Sequence, residues 1–172
     1  LTCFGKVIGG GLNVGAFGGR ADLMDVLAPL GPVYQAGTLS GNPLATAAGL
    51  TVLAHLDAAA YDRLEATATA LAEGLTAAFA AAGVDATVPR YGPLVGLFFG
   101  PDTPVDHDGA VASVALGHYP TFFHSMLDQG IALAPGPYEV MFPSLAHSDD
   151  DVELTVAAAQ VAARAVAERG VA

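Results

Sequence analysis

Apolar residues recur along the chain at two spacings, short extended runs beside glycines and longer runs at helical period. Between Tyr61 and Ala82, Leu64, Ala68, Leu71, Leu75 and Phe79 fall three or four apart, while Arg63, Glu65, Glu73 and Thr76 occupy the other side. That pattern predicts an amphipathic helix ending at Gly83. Val152, Val156, Ala159, Ala163 and Val166 form a second stripe, behind Ser148 as N-cap and with Asp149, Asp150 and Asp151 where the helix dipole favours anions. Arg164 and Arg169 sit near the end of that helix, with Gly170 after it. Asn42-Pro43 is a cap followed by a residue suited to the first helical position, predicting a helix to about Leu56. Leu23, Met24 and Leu27 predict a short helix over 20–28, and residues 109–128 read as helical with a break at Pro120.

The extended pieces are shorter. Leu1 to Ile8 reads as a strand end running into a loop, and Gly15 to Gly19 as a second apolar piece. Val95 to Phe99, bounded by Gly92-Pro93 and Gly100-Pro101, reads as a buried strand, and Ile131 to Ala134 as another before the loop PGPYEV. Strands alternating with helices predict an α/β or α+β layer architecture. The expected boundary lies where glycine-rich loops give way to regular elements, dividing the chain into residues 1–56 and 57–172.

Composition narrows the classes. Six Lys+Arg against 17 Asp+Glu give a formal charge of -11, without a basic run, which argues against nucleic acid as a partner. About one residue in five is alanine, so much of the 53% hydrophobic content is small side chains on helices. No stretch approaches the roughly 20 apolar residues of a membrane span, and no signal peptide is visible. The single cysteine, Cys3, forms no internal disulfide; it reads as a small buried hydrophobe, and a cytoplasmic location is the expectation. The glycine-dense first twenty residues, beginning at Leu1, predict the C-terminal portion of a larger polypeptide.

Lys6 stands out because the other five cations are all arginine. A lysine can lose its proton when desolvated and attack a carbonyl, whereas a guanidinium stays charged. A solvated lysine is the alternative reading from the residues alone. A phosphate-binding Walker loop fails here because Val7 follows Lys6, and a dinucleotide fingerprint fails at Val14. Gly37-Thr38-Leu39-Ser40-Gly41-Asn42-Pro43 places two hydroxyls and small-residue amides before a helix start, which suits either an anion such as phosphate or an ordinary capping loop. His55, His107, His118, His124 and His147 lack zinc-ligand spacing, so no metal is expected, and His118 and His124 read as helix-face or core residues. Glu139 is a lone carboxylate in an uncharged aromatic segment, open to a surface or a site role.

FGKVIGGGLNVGAFGGR at Phe4 to Arg20 and GPVYQAGTLSGNPLATAAG at Gly31 to Gly49 together resemble the C-terminal portion of the glutamate-1-semialdehyde 2,1-aminomutase family. These are class III enzymes of the pyridoxal 5'-phosphate-dependent transferase fold type I. The resemblance continues through GLFFG, YPTFFHSMLDQGIALAP and SLAHSDDD. Gly-Lys-x-Ile-Gly-Gly-Gly is widespread among class III aminotransferases, whereas Tyr-Gln-Ala-Gly-Thr-Leu-Ser-Gly-Asn-Pro is closer to the aminomutases.

The resemblance implies an α/β fold in which 1–56 ends the large cofactor-binding domain and 57–172 forms the C-terminal small α/β domain. It implies that Lys6 holds pyridoxal 5'-phosphate and moves protons. Gly37 and Thr38 would bind the phosphate of the cofactor held by a partner subunit, making a homodimer with a shared site. Glu139 would match a glutamate near the cofactor. The implied reaction converts glutamate 1-semialdehyde to 5-aminolevulinate for tetrapyrrole (porphyrin) synthesis, and further family machinery is expected upstream of Leu1. Gly136-Pro137-Tyr138 and Asn13 depart from the family pattern. An aminotransferase with an external amino donor and a noncatalytic dimerisation module are the alternative readings.

Overall fold

The computed structural model describes residues 1–170. The chain forms two compact units, Leu1–Ala59 and Ala60–Ala172.

In the first unit, β1 (Thr2–Phe4) pairs antiparallel with β2 (Ala16–Gly18), Cys3 opposite Phe17. A 3-10 turn, Lys6–Gly9, follows β1 after Gly5. The short helix α1 covers Ala21–Met24 rather than the whole of 20–28, because Leu27 leaves it to bridge Val33, and Ala28 donates to the Val33 carbonyl at 2.8 Å. Helix α2 (Pro43–His55) begins where the sequence places it: the Asn42 carboxamide oxygen accepts from Leu44 and Ala45 at 2.9 and 3.4 Å. The buried residues of this unit are small, Gly9, Ala45 and Gly49. Cys3 is exposed, contrary to expectation, because all three residues of β1 are open and nothing in the unit packs over the two-stranded pair there.

The second unit has its own core. Helix α3 (Ala58–Ala82) buries Leu64, Ala68, Leu71, Leu75 and Phe79. It ends at Gly83 with φ 68°, where the Val84 amide reaches back to the Phe79 carbonyl at 3.1 Å. Four two-residue strands follow, β3 (Ala86–Thr87), β4 (Arg90–Tyr91), β5 (Leu94–Val95) and β6 (Phe98–Phe99), paired antiparallel as β3 with β6 and β4 with β5. The expected single strand over 95–99 is therefore two, divided where the Gly96 amide turns to the Pro89 carbonyl at 2.8 Å.

Helices α4 (His107–Ala115) and α5 (Tyr119–Asp128) replace the expected 109–128 helix. The break falls at Gly117, with φ 72°, and not at Pro120. Pro120 occupies the first turn of α5, where a missing N–H costs nothing. Residues 131–134 form no ladder among the described residues; the extended contact is instead Val95 with Met141, whose amides and carbonyls bond mutually at 2.9 and 3.1 Å.

Helix α6 (Asp149–Gly170) starts on a reciprocal cap. The Ser148 hydroxyl and amide donate to the Asp151 carboxylate at 2.7 and 2.8 Å, and the Asp151 amide returns to Ser148 Oγ at 3.2 Å. Its stripe, Ala159, Ala163 and Val166 included, is buried against the same cluster as α3 and α5. Phe79, Phe99 and Phe122 make the centre, with ring centroids 5.1 to 6.0 Å apart and tilted or edge-on. Gly74 serves close approach: a Cβ added there on α3 would lie 2.3 Å from Val156 Cγ2 of α6.

Candidate active site

Lys6 opens the 3-10 turn with φ 52°, in the left-handed region, and is exposed within its unit. Among the described residues it forms no ion pair, while Arg20, the other cation of that unit, is paired with Asp22 at 2.7 Å. The lysine lines an open hollow of ≈ 740 Å³ together with Leu12, Val14, Phe17, Gln35 and the turn residues Gly37, Leu39, Ser40 and Gly41. Asn13 lines the same hollow. Its walls are thus apolar on the β2 side and rich in backbone amides on the 37–41 side.

The 37–41 segment is a tight double turn. Ser40 N–H donates to Gly37 O at 2.9 Å and Asn42 N–H to Leu39 O at 3.1 Å. The amides of Gly37, Thr38, Leu39 and Gly41 have no acceptor among the described residues. Asn42 occupies the first amides of α2, so an anion in this hollow would be held by the turn amides and the Ser40 hydroxyl rather than by the helix start. A Cβ added at Gly37 would lie 2.9 Å from Ser40 Oγ, so the turn closes around a position without a side chain. Lys6 and Gly37 are brought to one hollow; Thr38 adjoins it in sequence without lining it.

Glu139 lies in the second unit, where it lines a separate hollow of ≈ 290 Å³ with Tyr119, Leu97, Ile131, Met141 and His147. The Tyr119 hydroxyl donates to the Ala134 carbonyl at 2.6 Å. Burial, and after it the charge of Glu139, pushes Tyr119 above the usual phenol range. Tyr119 was not singled out from sequence, where it reads as one aromatic of the run YPTFF. His147 is a loop-closing acceptor, taking Ser144 N–H on Nδ1 at 3.0 Å. His118 lies edge-on to Phe99 at 5.5 Å, and His124 is exposed, edge-on to Phe123 at 5.2 Å.

The fold is that of the transaminases: it superposes on an omega-transaminase from Sphaerobacter thermophilus with a TM-score of 0.87 at 28% identity, over 95% of this chain and 38% of that one. A beta-phenylalanine aminotransferase from Variovorax paradoxus gives 0.75 at 32% identity, over 92% and 37%. The class-III aminotransferase profile matches residues 1–162, and the chain belongs to that family.

The similar curated relatives are named glutamate-1-semialdehyde 2,1-aminomutase. The protein of that name from Anaeromyxobacter dehalogenans is 53% identical over 94% of this chain and 37% of its own length. One from Bacillus cereus is 46% identical over 94% and 38%. The chain thus spans well under half the length of the relatives it matches. Among the described residues no single helix is long and apolar enough to cross a membrane.

Proposed function

We propose that the chain is the cofactor-lysine end of the large domain (1–56) and the C-terminal small α/β domain (57–172) of a pyridoxal 5'-phosphate-dependent aminomutase. The reaction converts glutamate 1-semialdehyde to 5-aminolevulinate, in a cytoplasmic homodimer that supplies tetrapyrrole synthesis. The carrying observation is that Lys6, at φ 52°, lines an open hollow beside the apolar residues Leu12, Val14 and Phe17. Identities of 46% to 53% to aminomutases support the choice of reaction.

The residues present fit the cofactor. A primary amine beside an apolar wall is what an aldehyde and a flat ring call for, and a turn with four unused amides suits a phosphate, that of the partner's cofactor. When bound, pyridoxal 5'-phosphate supplies an electron sink for negative charge at the reacting carbon. Lys6 would hold it covalently through Nζ and, as a free amine, take a proton at one substrate carbon and return it at the next. Gly37 N–H and Thr38 would bind the phosphate of the partner's cofactor. Leu12, Val14 and Phe17 would offer the flat ring an apolar wall. Glu139 would act on the substrate side.

The proposal has Gly37 and Thr38 serving the partner's cofactor. Hybrids of Lys6→Ala and Thr38→Ala subunits test this: regained activity supports a shared site, since one intact site forms per hybrid, and continued inactivity places both residues in one chain's site.

Substrate and product of the proposed reaction share one formula, so turnover consumes no second amino compound. Whole protein supplied with glutamate 1-semialdehyde alone is expected to accumulate 5-aminolevulinate. Formation that waits for an added amine favours the second reading, a class III aminotransferase with an external donor. That reading is favoured by Gly136-Pro137-Tyr138 before Glu139 and by the fold's likeness to two transaminases.

A further inference from the structure

We propose that Gly49 of α2 is a positioning residue for Lys6, seating the lysine through a backbone contact that no side chain can replace. The inference rests on Lys6 being the cofactor lysine. Lys6 is the one non-glycine residue at positive φ among the described residues, 52°. A residue with a Cβ keeps that conformation only where its surroundings over-determine it.

The surroundings are the 3-10 turn and α2. The turn is closed by Gly10 at φ 59°, whose amide donates to the Val7 carbonyl at 3.0 Å. Its outer surface lies directly on α2. A Cβ added at Gly49 would be 2.2 Å from the Ile8 carbonyl oxygen, and one at Gly10 would be 2.6 Å from the Ala48 carbonyl oxygen. The two backbones therefore touch from both sides, with Gly49 buried between them. Only Val7 separates Ile8 from Lys6, and all three belong to one turn, so a displacement at Ile8 reaches the Lys6 backbone without a flexible joint. Gly49 is helical and not at positive φ, so its substitution adds one atom and no strain of its own.

The test uses the whole protein and added pyridoxal 5'-phosphate, trapped with borohydride and mapped by peptide mass, in parallel with visible circular dichroism per bound cofactor. Gly18→Ala, where an added Cβ meets nothing within 4 Å, is the control and is expected to match wild type. Gly49→Ala must move the Ile8 carbonyl by about 1 Å, a misplacement that costs on the order of a hundredfold. The expected result is folded protein that labels Lys6 at least about tenfold more slowly, with altered circular dichroism of the bound cofactor. A purely structural glycine would lower the melting temperature and leave both readouts unchanged in the folded protein, and that result overturns the proposal. Should Gly49→Ala fail to fold, Ala48→Gly removes the methyl nearest Gly10 and so loosens the other half of the same helix-to-turn packing without adding an atom: slower labelling supports the proposal and wild-type labelling overturns it. A wild-type adduct at a lysine other than Lys6 overturns the reading of Lys6 before any variant is compared, and this inference with it.

Discussion

Gly74→Ala tests whether the alanine-rich seam between α3 and α6 is packed to contact. The new methyl would sit 2.3 Å from Val156 Cγ2, 3.0 Å from Cγ1 and 3.2 Å from Cβ. Carbon atoms in contact prefer about 3.5 to 4.0 Å, so the valine must retreat by more than ~1 Å. A valine on a helix has essentially one χ1 rotamer, so the retreat falls on the helices and the cost lies near the upper end of the ~1–3 kcal/mol range for overpacking. Replacing glycine within a helix returns about 1 kcal/mol, leaving a net loss of about 1–2 kcal/mol. Val156→Ala alone removes half-buried carbon and costs on the order of 1 kcal/mol. In the double variant both offending Cγ atoms are gone. It should be more stable than Gly74→Ala, with a coupling of about 2 kcal/mol across the cycle. Urea unfolding followed by helical circular dichroism measures all four proteins. A Gly74→Ala chain as stable as wild type, or effects that simply add, would refute contact packing at this seam.

Other outcomes follow from single groups. Asn42→Ala removes the acceptor for Leu44 and Ala45 N–H and should cost about 1 kcal/mol in urea unfolding, with fraying at the start of α2 by hydrogen exchange. The bonds from Ser148 hold the Asp151 carboxyl below its ordinary value of 3.8. The folded form is therefore favoured above that value, and the advantage is lost as pH falls through the lower folded value; the stability gap between wild type and Asp151→Asn should be constant near neutrality and shrink in acid. Spectrophotometric titration should show a late-ionising phenol that is absent in Tyr119→Phe and moves earlier in Glu139→Gln, because burial and then Glu139 raise Tyr119.

Much of the helical framework was legible because its signals are local. Asn42 and Ser148 cap as their side chains allow, and the stripes of α3 and α6 meet the core as their spacing requires. Features that depend on distant residues were not. Gly117, and not Pro120, separates α4 from α5, since a proline in a first turn breaks nothing. The 95–99 run divides because Gly96 bonds back to Pro89, and 131–134 lacks a ladder because Val95 pairs with Met141 instead. Cys3 looked like a core residue only in the absence of knowledge of what covers β1.

At the candidate site, composition isolated Lys6 and the residues before Asn42 suggested an anion loop. Their meeting in one hollow is a matter of tertiary structure. Neither the φ of Lys6 nor the close approach of Gly49 to Ile8 could be read from sequence, where a glycine inside a helical pattern signals only weak propensity.

The claim on which the account turns is that Lys6 carries the cofactor. Borohydride reduction of whole protein loaded with pyridoxal 5'-phosphate, followed by peptide mass mapping, measures this directly. One pyridoxyl group is expected on the peptide containing Phe4-Gly5-Lys6-Val7, and is lost in Lys6→Ala. A pyridoxyl group on any other lysine, with Lys6 unmodified, would contradict it.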